Sequence, residues 1–202
     1  MQLKSLMNRS CLAFSGMIVW VSVATSGMAS PASVFVPHLD RIRQSLPSGW
    51  VMRLPSVVLL GEPADDGFIE RLYVRVQGSS SPPMVNVSLF SCTSGPYPCL
   101  VGSFAVDSQG SFNAQRDLAE HQRLGTAYPL GSGVQGYLLE GFAKQPPSPF
   151  STVIWAQDRA VYTASFLASE RDNLLKMAAS MAQSAPIYPM GAAIPEVPLL
   201  PF

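Results

Sequence analysis

Eighteen prolines, spread from Pro31 to Pro201, constrain this chain more than any other feature. Proline lacks a backbone N–H and fixes φ, so it breaks helix interiors and is kept out of central strands. With the 15 glycines it cuts the 202 residues into short elements. A chain divided in this way reads as strand-rich rather than as a helix bundle. Apolar residues still make up 48% and charged residues only 13%, which supports a buried core and argues against disorder throughout. The length suits one domain of ordinary size.

The first 29 residues read as an address. Met1–Arg9 carries Lys4 and Arg9 and no acid, and Ser10–Ser26 is uncharged and mostly apolar. Small residues follow at Ser26-Gly-Met-Ala-Ser30. That order is expected of a secretory signal over 1–29, cut after Ala29, with Ala32 as the second candidate. The competing reading is a retained anchor, since ~18 apolar residues can span a bilayer. The Ser, Thr and Gly content of the stretch weakens it as a permanent span. Loss of Lys4 and Arg9 leaves 11 basic against 13 acidic residues, a net charge of about −2. No basic run exists to neutralise phosphates, which argues against a nucleic-acid partner. No later stretch reaches transmembrane length, so no membrane span is expected after signal cleavage.

Cysteine usage agrees with export. Cys11 falls inside the signal, leaving Cys92 and Cys99. An even count in an exported chain reads as a disulfide. Gly95, Pro96 and Pro98 lie between the two and favour a tight reversal. The flanks, Met84–Phe90 and Leu100–Val106, look like paired strands, so the bridge is expected to staple a hairpin tip. A redox motif wants two intervening residues, and here there are six. Zinc needs further ligands, and neither His38 nor His121 has ligand spacing to the pair.

The remaining elements follow from period and punctuation. Pro37–Leu46 reads as a short amphipathic helix, with Leu39, Ile42 and Leu46 on one stripe. Trp50–Leu54 and Ser56–Leu60 read as strands broken at Pro55. Gly61–Gly67 is an acidic turn, and Ile69–Val76 alternates as a half-buried strand. Gly78–Pro83 reads as a loop, and Asn113–Leu124 as a helix. Ser151–Trp155 and Ala160–Phe166 form a second hairpin signal. Ser169–Met181 is the best helix, with Ser169 as its expected N-cap. Leu174, Met177, Ala178 and Met181 make its stripe, expected to pack on a sheet. Ala185–Phe202 holds five prolines and one charge, Glu196, and cannot be a helix or a central strand. The sum is an α+β domain over 30–184: a mainly antiparallel sheet with a C-terminal helix packed on one face. A Pro-rich apolar tail follows over 185–202.

Gly131, Gly133 and Gly136 spell G-x-G-x-x-G, the spacing of a dinucleotide-binding turn. That turn works only between a strand and a helix, so that the helix N-terminus meets the pyrophosphate. Here Tyr137-Leu-Leu-Glu-Gly-Phe-Ala143 is short, contains Gly141 and soon meets Pro146-Pro147. The better reading is a turn entering a strand, with Gly131 or Gly133 at positive φ, and no cofactor is expected.

Catalytic signals are weak. His38 and His121 are the only histidines, and both read as surface residues. No serine sits in G-x-S-x-G. Glu62, Asp65, Asp66 and Glu70 lack EF-hand spacing and read as a solvated loop, so no metal is expected.

Leu46-Pro-Ser-Gly-Trp-Val-Met-Arg-Leu-Pro-Ser56, Gly136-Tyr-Leu-Leu139, Val153–Tyr162 and Leu174–Met181 together resemble a group of uncharacterised exported cyanobacterial proteins. The resemblance implies a small extracytoplasmic α+β domain, in periplasm, thylakoid lumen or secreted. It carries over no catalytic residue. The function expected is a non-enzymatic binding or assembly module, meeting an envelope protein through the C-terminal tail. Tyr188 and Phe202 are the tail's candidate contacts. The alternative is a carrier of a small apolar ligand or lipid between sheet and C-terminal helix, with Trp155, Tyr162 and Met177 lining the pocket.

Overall fold

The computed structural model describes residues 29–94 and 99–192. The expected signal up to residue 28, the Gly95–Pro98 reversal and the tail from residue 193, with Glu196 and Phe202, lie outside the described residues. The fold is α+β. A 3-10 turn, Ser33–His38, runs into helix α1, Leu39–Ser45. A short helix α2, Asp66–Glu70, precedes strands β1 (Tyr73–Ser80), β2 (Pro83–Phe90) and β3 (Leu100–Ser108). Helix α3, Phe112–Leu124, connects to β4 (Thr126–Gly131), β5 (Val134–Leu139), β6 (Phe150–Gln157) and β7 (Ala160–Leu167). Helix α4, Arg171–Gln183, closes the domain.

The seven strands of the described residues form one antiparallel sheet in the order β1-β2-β3-β7-β6-β5-β4. Two meanders, β1–β3 and β4–β7, thus meet at the β3–β7 pair. Alternation decides the faces. Val85, Val87, Leu89, Phe104, Val106, Val153, Trp155, Tyr162, Ala164 and Phe166 point to the main core. There they meet Phe35, Ile42, and the α4 stripe of Leu174, Met177, Ala178 and Met181, all without accessible surface. Ile154 and Val161 point the other way and pack under Ala114 and Leu118 of α3. Helices therefore cover both faces, with α4 on the side of the main core and α3 over the β4–β7 half of the opposite side.

Several elements differ from the sequence expectation. The stretch from Trp50 to Leu60 is extended but joins no sheet among the described residues, where its one bridge pairs Met52 with Ile187. Its backbone instead bonds to α4, with Ser56 N–H donating to Ser180 Oγ at 3.0 Å. Met52, Leu54 and Val58 are buried by that packing. Ile69 and Glu70 belong to α2, because the Asp65 carboxylate accepts from Phe68 N–H at 2.7 Å and starts a helical turn. The strand after it runs through Ser80, into the stretch expected as loop. The N-cap of α4 is Glu170 rather than Ser169, because a 3-10 turn over Ala168–Glu170 leads into the helix.

The glycine motif is a hairpin. Gly131 and Gly133 have φ of 93° and 74° and turn β4 into β5. Gly136 lies within β5, where a Cβ would come 2.7 Å from Leu130 Cδ1 across the pair. A strand stands where a nucleotide fingerprint needs a helix.

Candidate functional site

The site begins at the β6–β7 turn. Asp158 and Arg159 form a two-residue connection, and both have positive φ, 52° and 60°. That is the conformation that matches the twist of paired strands. It projects the Asp158 carboxylate back over the end of the sheet. Arg53, from the extended stretch, donates through Nε to Asp158 Oδ2 at 2.7 Å and through a terminal nitrogen to the Ser184 carbonyl. One guanidinium thus ties three distant segments: the extended stretch, the β6–β7 turn and the end of α4.

The same end of the sheet is locked from below. Tyr162 O–H donates to the Val51 carbonyl at 2.8 Å. Burial, and then the neighbouring Asp158, push its phenol well above the ordinary tyrosine range, so it stays protonated. Trp155 Nε1 donates to Gln157 Oε1 at 3.1 Å, and Gln157 donates in turn to the Ala182 carbonyl at 3.0 Å. Met52 and Ile187 exchange two backbone hydrogen bonds, 3.0 and 2.7 Å, which pin the chain that leaves α4. Met190 N–H adds a bond to the Arg43 carbonyl at 3.2 Å.

This pinning brings Tyr188 and Pro186 beside Arg53, Asp158 and Arg159 around a surface cleft of about 340 Å³. Arg53 spends its charge on Asp158. Arg159 makes no hydrogen bond or ion pair among the described residues. The cleft therefore offers a free cation next to an aromatic ring and a rigid proline, a combination suited to a carboxylate or an aromatic group.

The other sequence-selected residues are placed differently. Trp155, Tyr162 and Met177 have no accessible surface and lie inside the main core. Trp155 and Tyr162 stack at 5.6 Å. Cys92 and Cys99 form a disulfide that joins the ends of β2 and β3, with Cα atoms 5.6 Å apart. His121 is not a surface residue; it is 7% exposed, on the α3 face turned to the sheet. Among the described residues, no three His, Cys, Asp or Glu side chains group as metal ligands, and no helix is long and apolar enough to cross a membrane.

A second polar cluster lies under α3. Lys144 Nζ donates to Thr152 Oγ1 at 2.6 Å, and Thr152 and Ser165 share a hydroxyl bond at 3.1 Å. Ser165 continues to the Ser151 carbonyl at 3.4 Å. Burial lowers the Lys144 amine from its ordinary range, against the pull of Glu120 and Asp117. Each hydroxyl in this chain already has a donor and an acceptor partner. The arrangement ties the Pro-rich 141–149 loop to the sheet.

Sequence reasoning singled out Tyr188 but missed Arg53 and Arg159. The Asp158-Arg159 pair between two alternating runs was the one local signal, because a two-residue hairpin turn exposes both side chains. The chain matches no protein-family model, no curated protein and no solved structure.

Proposed function

We propose that the protein is an exported, non-enzymatic binding or assembly module that holds an envelope partner at the Tyr188–Arg159 cleft. One observation carries this reading. The chain after α4 does not simply leave the domain; the Met52–Ile187 pair holds it so that Tyr188 borders a cleft with an unengaged arginine. A rigid aromatic and an arginine are the side chains that contribute most at interface centres. The segment is extended and Pro-containing before any partner arrives, so little ordering entropy is lost on docking. Export rests on the basic-then-apolar N-terminal stretch, on the disulfide and on the resemblance to exported cyanobacterial proteins.

The carrier reading has less behind it. Trp155, Tyr162 and Met177 are fully enclosed, so a ligand would have to displace α4 to reach them. Lipid found by mass spectrometry in protein purified without detergent would restore it.

The test is site-specific photocrosslinking in the native envelope. A photoreactive residue is placed at Tyr188, and a second one at Gln115 on α3 serves as control. A chain ending at Ala192 keeps the pinned segment. The expected result is one protein captured from Tyr188, not from Gln115, and lost with Arg159→Glu. Equal capture from both positions, or none from Tyr188, rejects the reading.

A further inference from the structure

Two strands end the sheet, and they are treated differently. β4 is six residues long, carries Pro129 and has a register shift between Pro129 and Gly131. These are devices that stop an edge from pairing with another chain. β1 is eight residues long, contains no proline and pairs with β2 without a shift. No described strand pairs with its outer side.

A cleft of about 330 Å³ lies against this edge strand, with Phe90 at the end of β2 and Cys92 and Thr93 just past it also lining it. Five consecutive β1 residues, Tyr73 to Gln77, line it, which means that it follows the backbone rather than one face. At a rise of about 3.3 Å per residue it takes an extended segment of roughly five residues. Arg41 and Arg75 also line it, and no Asp or Glu does. Neither arginine is in an ion pair among the described residues. Arg75 lies over the ring of Phe90, on the neighbouring strand β2, at 4.9 Å, and shares the exposed face of β1 with Tyr73 and Gln77.

The two charges lie on opposite faces of β1. Arg75 is on the exposed face. Arg41 comes from α1, which packs on the Val76 face. A strand laid along β1 would alternate its side chains between these two faces.

We propose that an extended acidic peptide segment of a partner protein adds to the sheet along β1, setting one carboxylate on Arg75 and another on Arg41. The opposite placement of the arginines gives a rule: the two acids are an odd number of residues apart. A second copy of this chain fits poorly, since β1 holds no Asp or Glu to meet either arginine. This surface shares no residue with the Tyr188 cleft, so either can fail alone.

The test is fluorescence anisotropy with labelled, end-blocked heptapeptides on the mature protein. The first probe is Thr-Glu-Val-Thr-Glu-Val-Thr, with its acids on opposite faces. The second is Thr-Glu-Val-Glu-Thr-Val-Thr, with both on one face. The third is the first with alternate backbone amides N-methylated. The first should bind, and added salt should weaken it. The second and third should bind at least about tenfold more weakly, as should the first probe against Arg75→Glu or Arg41→Glu. Both sites are exposed, and circular dichroism confirms that the variants fold. No binding of the first probe overturns the proposal. So does equal binding of the N-methylated probe, which would mean charge attraction without strand addition. Self-association by sedimentation, without peptide binding, would give the edge to a second copy and equally overturns it.

Discussion

Trp155 and Tyr162 face each other across the β6–β7 pair, with ring centroids 5.6 Å apart and planes 14° from parallel. The contact faces the core, yet each ring carries a polar atom that must be satisfied. Trp155 sends its N–H to Gln157, and Tyr162 sends its O–H to the Val51 carbonyl. The stack is thus the point where the hairpin, the extended stretch and, through Gln157, the end of α4 are bound together.

Tyr162→Phe keeps the ring and removes only the hydroxyl. The Val51 carbonyl loses its partner in a half-buried place. We expect a loss of about 1 kcal/mol in urea unfolding, with an unchanged denaturant slope. An unchanged midpoint would mean that water replaces the hydroxyl and that the tie to the extended stretch is weak.

The acid side of the stability profile is set in part by His121. Its Nδ1 donates to the Asp117 carbonyl at 2.8 Å, and its buried Nε2 has no hydrogen-bond partner among the described residues. Burial lowers its pKa from 6.5, reinforced by Lys144 and opposed by the Asp117 bond, Glu120 and the Asp117 charge. A lowered folded value means that the unfolded chain binds the proton first. Stability is therefore complete above about pH 6.5 and declines as the pH falls through the interval down to the folded value. His121→Leu should match the wild type near pH 8 and exceed it near pH 5, at about equal denaturant slope. His38, also lowered, is present in both proteins and cancels. Parallel pH profiles for the two proteins would contradict this account.

How much of this was legible in the sequence depends on what each pattern encodes. Alternation encodes which side chains are buried, and at β6 and β7 burial and strand pairing coincide. At Trp50–Leu60 they part. Met52, Leu54 and Val58 are buried as the alternation says, but the cover is α4 and the backbone partners are Ser180 and Ile187. Nothing local distinguishes the two cases. The burial of His121 was legible and overlooked: Ala114, Leu118 and His121 stand at i, i+4 and i+7 on one helix face. The short helix α2 turned on a single cap, Asp65, inside a stretch whose charges read as a turn. Arg53 could not be found this way, because its partner Asp158 lies 105 residues further on.

Gly125 marks a limit that substitution can probe. It ends α3, and a Cβ there would come 2.5 Å from the Leu138 carbonyl oxygen and 2.6 Å from that of His121. Both are backbone atoms and cannot rotate aside. Gly125→Ala should force the helix end away from β5 and cost about 1–3 kcal/mol. Gly133→Ala has open space around it and tests backbone conformation alone, at φ 74°. It should cost less than Gly125→Ala in the same thermal or urea unfolding experiment. The reverse order would show that the α3 terminus shifts freely.

The disulfide should contribute stability without deciding the fold. Cys92 and Cys99 are seven positions apart, and closing so small a loop removes little unfolded-chain entropy, worth about 2–3 kcal/mol. The strands it joins hold register without it, from Met84 against Asp107 to Leu89 against Gly102. A further bond from Ser91 N–H to the Cys99 carbonyl, 2.9 Å, closes the same end of the pair. The double variant Cys92→Ser, Cys99→Ser should therefore keep the native circular dichroism spectrum and unfold at lower urea. Reductant on the wild type should produce the same shift and leave the double variant unmoved. A double variant that failed to fold would assign the bridge a role in setting the β2–β3 register. Reductant without effect on the wild type would mean that the ladder alone holds this end closed.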